Sequence, residues 1–407
     1  MYSTYEQHQD TAWGNRVTGW RCKLATVALG VLVASSAVAG DLERSQAKRI
    51  HDRLTGVPPT PAFLTTMENE IINNGAVSAA LLALDRNSNP RAFNFYNTTL
   101  KNFATPWTNE AQSVFDPLND YSATVIGMIR DDVPFNTLLS ADLIYVGDSN
   151  ISGVAAYSPA NNTHYLNLEN LSIDLSDPTN LFSASQSAQS GIPAAGVAGV
   201  ITTRAAAQAF FIDGTNRAMF RFTMLNHLCN DMEQLKDTTR PADRIRQDVS
   251  RSPGGDSRIF MNACIGCHTG MDPMTQAFAY HNYDAALGRL VYTPGQVQPK
   301  YLINAGNFEY GYVTPDDSWD NYWRSGPNAV MGWSAGLTGS GNGAASLGQE
   351  LGNSTAFASC QVRKAYRTVC LNEPSQTQMT ALMGVLTGQN YNMKQVFAEA
   401  SVQCMGS

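Results

Sequence analysis

Apolar residues return at helical spacing over most of the chain, and proline or glycine marks where each run stops. Leu42 to Leu54 is followed by Thr55-Gly56-Val57-Pro58-Pro59, and Pro61 to Asn73 and Val77 to Leu84 then continue a helical block that reaches about Tyr145. From Gly147 to about Ala198 the composition turns to Ser, Asn, Asp, Gly and Pro. Short alternating pieces there, such as Thr163-His164-Tyr165-Leu166-Asn167-Leu168, read as strand. Helical patterning resumes at Thr202 to Phe211 and after Thr215, an expected N-cap, where Ala218, Met219, Phe222, Leu225 and Leu228 repeat at helical spacing. A second loop-rich stretch spans Tyr292 to Ala345. The last segment predicts helices over Ala356 to Leu371, Ser375 to Leu386 and Met393 to Val402. The expected fold is mainly α: a multi-helix architecture with long irregular loops. Its parts are 1–39 a leader segment, 40–146 an N-terminal helical region, 147–200 a loop-rich insert, 201–345 a second mixed region and 346–407 a C-terminal helical region.

The start of the chain follows another pattern. Arg16, Arg21 and Lys23 precede the apolar run Leu24 to Ala34, and Ala37-Val38-Ala39 supplies the small residues a signal peptidase prefers. The run is short for a bilayer span, so cleavage is favoured over retention as an anchor. The expected location is periplasmic or extracellular, with no membrane span after signal removal. With 407 residues, 43% hydrophobic content and a formal net charge of -7, the chain has ample material for a core, and no basic block marks a nucleic-acid surface.

Cysteine brings in the chemistry. Cys264-Ile265-Gly266-Cys267-His268 has the spacing for covalent haem attachment: two thiols one helical turn apart add across the haem vinyl groups, and the next residue presents its imidazole to the iron. Zinc would want two further ligands at close spacing, and a thioredoxin-like motif would want a flanking βαβ pattern; neither is evident. The expected cofactor is one haem c on Cys264 and Cys267, with His268 as the proximal iron ligand, which makes 201–345 a haem-binding region with a cytochrome c-like haem segment, downstream of the 1–39 signal peptide.

The sixth position decides what the iron does. Met271 and Met274 follow His268 too closely to reach around the ring. Met331, far downstream in Gly326-Pro327-Asn328-Ala329-Val330-Met331, suits a distal ligand, and it is equally a residue type that fills core gaps. His227, His281 and Met224 are rivals. Arg289 is a candidate partner for a haem propionate, since guanidinium grips carboxylate with two prongs. Of the remaining cysteines, Cys22 leaves with the signal. Cys360 and Cys370 on one helix would lie about 15 Å apart and cannot pair with each other. Cys404 could reach Cys370 or Cys229, or these could stay as small buried thiols.

These residues bring a family into view. The run Cys264 to Pro273, followed by Phe278, Tyr283-Asp284 and Gly288-Arg289, resembles the haem segment of the planctomycete-type c-type cytochrome families, which are domains of unknown function. Asp131 to Asp142 is similar to their "DRPF...LLTADY" element, Leu54 to Pro59 to their "LTGLPP" opening, and Phe357 to Lys394 to their small C-terminal helical domain. Thr275 stands where those families usually have glycine, Ala279 where they have an acid, and the gap to Gly288-Arg289 is longer. A single Cys-X-X-Cys-His provides one redox centre and nothing resembling a two-haem peroxidase, so the expected function is that of an exported mono-haem cytochrome that transfers electrons to or from a partner oxidoreductase. The alternative is a mono-haem oxygenase or peroxidase with an open or weakly held sixth site, so whether the chain is an enzyme is left open. A third reading makes the haem structural within a binding module. Trp319, Tyr322, Trp323 and Trp333 would then form a carbohydrate or partner face, although such aromatics are more often core.

Overall fold

The computed structural model describes residues 24–212, 217–247, 249, 257–302 and 311–406, with side chains from residue 40 onward. Most of the expected signal segment therefore lies outside the described residues, as does the N-cap expected at Thr215. The backbone of α1 (Leu24–Thr55) is helical through Ala37-Val38-Ala39. Its buried face is Ala47, Ile50 and Leu54, and it stops where Gly56 turns to φ 73° ahead of the two prolines. Pro61 opens α2 (Pro61–Asn74), which is capped by Thr60 and lies against α1, and α3 (Ala76–Leu84) packs on both. A π-helical turn, Phe95–Leu100, leads into α4 (Lys101–Ala104).

At the centre lies α5 (Asp120–Arg130), in which every residue is buried. A helix covered on all sides belongs inside a core, and its start is fixed by a capping box between Asn119 and Ser122. β1 (Ile144–Gly147) follows, then α6 (Thr163–Asn170), β2 (Leu181–Ala184), α7 (Gln186–Ser190) and α8 (Arg204–Phe210). The strand expected from Thr163 is thus a helix. A strand would place Leu166 and Leu168 on one face, but Leu168 is buried while Leu166 is 36% exposed, and Tyr165 and Leu168 face the core together. His164 holds the turn in place, accepting from the Gly147 amide and bonding the Ala155 carbonyl at 2.6 Å.

After α9 (Arg217–Leu228), α10 (Ser257–Ile259) and α11 (Ile265–Thr275) come two small hairpin-like pairs. β3 (His281–Asp284) pairs with β4 (Arg289–Tyr292), and β5 (Ser318–Asp320) with β6 (Ser340–Asn342), both antiparallel, as β1 is with β2. The end of the chain forms α12 (Gly343–Gly352), α13 (Thr355–Cys370), α14 (Gln376–Gly388) and α15 (Met393–Gln403), close to the expected helices. The architecture is mainly α. One apolar cluster runs from Ala47 to Ala400, because α15 packs on α1, α3 and α13.

Two disulfides tie this arrangement. Cys370 pairs with Cys404, one of the links considered from sequence, and Cys229 pairs with Cys360, which was not anticipated. Cys360 and Cys370 share α13 and each pairs elsewhere, so these four are not the buried thiols of the other expectation. Among the described residues no helix is long and apolar enough to cross a membrane.

Candidate functional site

The Cys-X-X-Cys-His motif straddles a change in helix type. Phe260–Cys264 forms a π-helical turn that passes into α11, so Cys264 ends one element while Cys267 and His268 occupy the first turn of the next. Such π turns inside helices often mark functional positions. Both cysteines are free and partly exposed, whereas the four other described cysteines are joined in disulfides. Burial pushes the Cys267 thiol above its ordinary range. A small apolar cluster of Ile245, Val249 and Phe260 lies beside the motif, with Cys264 and Ile265 packed on it.

The segment 231–240 straps one side of α11. The Asp237 amide donates to Gly266 O at 2.9 Å, Thr269 Oγ1 donates to Asp237 O at 2.7 Å, and Cys267 Sγ lies 3.5 Å from Met232 O. Gly270 meets the buried Trp323 so closely that a Cβ there would lie 1.9 Å from its indole nitrogen. Only glycine permits that approach.

On another face of the same helix, His268 Nδ1 and Asp272 Oδ1 are 2.9 Å apart. Asp272 is fully buried. Burial alone would raise its carboxyl, but His268, Arg246 and Arg217 outweigh it and hold the group down at about 2. Arg217 Nε is 4.0 Å from Oδ1 and the Arg246 amide 3.5 Å from Oδ2. With Nδ1 on the carboxylate, Nε2 is the nitrogen left to coordinate a metal. The Phe260 ring lies 5.8 Å from the imidazole. The residues present thus fit a covalently held haem: two thiols a turn apart, an oriented imidazole and adjoining apolar side chains. Among the described residues no three His, Cys, Asp or Glu side chains gather as a metal-ligand set, the arrangement zinc would want.

The other expected residues are placed as follows. Met331 ends a 3₁₀ turn, Pro327–Met331, and is 4% exposed within the main core. That turn shares the strap with α11, since Asn328 donates to Leu235 O at 2.9 Å. Arg289 is exposed at the start of β4, opposite Asp284. His227 is fully buried with Nε2 2.5 Å from the Tyr121 hydroxyl, and the Trp107 and Phe357 rings pack around it. His281 spends its Nε2 on the Gly196 carbonyl at 2.8 Å, and Met224 is buried on α9. Of the four aromatics, Trp319 and Trp323 are core residues, while Trp333 and Tyr322 are half-buried, Trp333 donating to Trp323 O and the Tyr322 hydroxyl to Asp243.

By sequence Asp272 with Pro273 is a turn signal, yet both residues lie inside α11. The spacing of four between His268 and Asp272 was the available clue, because i and i+4 share a helix face. Comparison with family models, with curated proteins and with solved structures finds nothing that matches this chain.

Proposed function

We propose that the chain is an exported mono-haem c-type cytochrome that transfers electrons to or from a partner oxidoreductase in the periplasm or outside the cell. One observation carries this reading: Cys264 and Cys267 remain thiols beside an oriented His268 while the other described cysteines are oxidised to disulfides. Disulfides persist outside the cytoplasm, where haem is also attached to this pentapeptide, and the resemblance to the planctomycete-type cytochromes supports the same reading. Haem, when bound, supplies one-electron chemistry. The chain's own residues anchor and orient it: Cys264 and Cys267 hold it, His268 Nε2 ligates it, Met331 is the proposed sixth ligand and Arg289 the proposed propionate partner.

The His268–Asp272 pair favours a second reading, a mono-haem oxygenase or peroxidase. A carboxylate on the outer nitrogen strengthens an axial histidine, which suits an open sixth site. Export of the full chain through a haem-attachment system tests both. One covalently bound haem per chain is expected, lost when Cys264 and Cys267 are both changed to Ala; a haem-free product would defeat the proposal. In the ferric protein, a near-infrared methionine band that disappears in Met331→Ala marks a carrier. A high-spin spectrum shifted by cyanide or peroxide marks the catalytic alternative.

A further inference from the structure

We infer that Asp272 is a positioning residue for His268, which aims Nε2 at the haem iron and makes the imidazole a stronger donor, so that the centre favours its oxidised state. The inference rests on the haem reading and deepens it. Asp272 lies one turn from His268 on α11, so the helix itself sets the 2.9 Å contact. The carboxylate is fully buried and its other oxygen faces the Arg246 amide, so neither water nor rotation takes it from the imidazole.

With Nδ1–H donated to Asp272, the tautomer is fixed and the Nε2 lone pair points away from the carboxylate. A neutral carbonyl acceptor would orient the ring equally well. An ionised carboxylate in a dry setting does more: it draws the shared proton toward itself and raises the electron density at Nε2. Arg217, 4.0 Å from Oδ1, offsets part of the carboxylate's charge, so the effect runs chiefly through the imidazole: a more basic ligand favours the ferric over the ferrous state, and the reduction potential falls. A purely structural pair, serving only to brace α11, would leave the potential where it is.

Spectroelectrochemical titration of the exported holoprotein tests this, with Asp272→Asn beside the wild type. Wild-type haem content is measured first, because a chain without covalent haem removes the parent proposal and this one together. In haem-loaded Asp272→Asn, the ferrous-to-ferric ratio at a fixed applied potential is expected to rise at least tenfold, an upward shift of about 59 mV for one electron. A change smaller than threefold in a haem-loaded variant would overturn the inference while leaving the cytochrome reading intact. Should the variant fail to accumulate, the wild type alone decides. Proton NMR is expected to show a His268 Nδ1–H protected from exchange, and a rapidly exchanging or absent ring proton counts against Asp272 as its acceptor.

Discussion

Side chains that the sequence offers as ligands are, in several cases, held by the core, and His281 shows what that costs. It is fully buried, and burial lowers its pKa from 6.5 to about 4, although the Gly196 carbonyl opposes the shift. The folded protein therefore keeps it neutral in a range where the unfolded chain protonates it. The stability this neutral form contributes is complete above pH 6.5 and drains away as the pH falls from 6.5 toward 4. Between pH 7.5 and 5.5 the loss from this residue is about 1.4 kcal/mol, one pKa unit's worth. His51, His164 and His227 are lowered by burial as well and act in the same direction. His281→Gln keeps a donor for Gly196 and does not titrate. Urea unfolding at the two pH values should show a smaller acid-induced drop in this variant than in the wild type; an equal drop would assign the pH dependence elsewhere.

Among the elements, the disulfides fasten helices at different distances along the chain, and their separations rank their effects. Cys229–Cys360 closes a span of 131 residues between α9 and α13, and Cys370–Cys404 one of 34 between α13 and α15. The chain-entropy estimate gives about 5 kcal/mol for the first and about 4 kcal/mol for the second. Pairwise replacement by Ser should therefore lower the chemical midpoint more for Cys229 and Cys360. The reverse order would show that local packing outweighs loop closure. The same elements show what the chain makes legible. Helix ends were readable at Gly56, Pro61 and Ser375, because those signals are local, whereas Pro273, a breaker by type, lies inside α11. The Thr163 to Leu168 segment was not, because its apolar residues fit either period and only the packing of Tyr165 and Leu168 decides. At the site, the five-residue motif was readable outright. Asp272 was hidden in an apparent turn, and the Cys229 link depended on α9 meeting α13 across a long separation.

For the molecule as a whole, the question is whether regions separated in sequence unfold together. Phe397, on the C-terminal helix α15, is fully buried between Phe95 and Phe103 of the N-terminal region, each ring 5.2 Å away and edge-on. Lys394 on the same helix bonds the Arg130 carbonyl at the end of the central α5. The two ends of the chain thus close one core. Phe397→Ala removes a ring from a site that its neighbours cannot refill without moving, which costs roughly 3–5 kcal/mol. That cost should appear as a single cooperative transition at lower urea, since the apolar cluster is continuous from Ala47 to Ala400. The Ile245, Val249 and Phe260 cluster beside the motif lies apart from that core, which makes the segment around Cys264 the place where cooperativity would first fail. With the proposed haem in place, unfolding followed at its absorption band and by far-ultraviolet circular dichroism separates these cases. Coincident curves, both moved by Phe397→Ala, are expected if the covalent haem welds its segment to the core; a haem transition unmoved by the variant would make the segment a unit of its own.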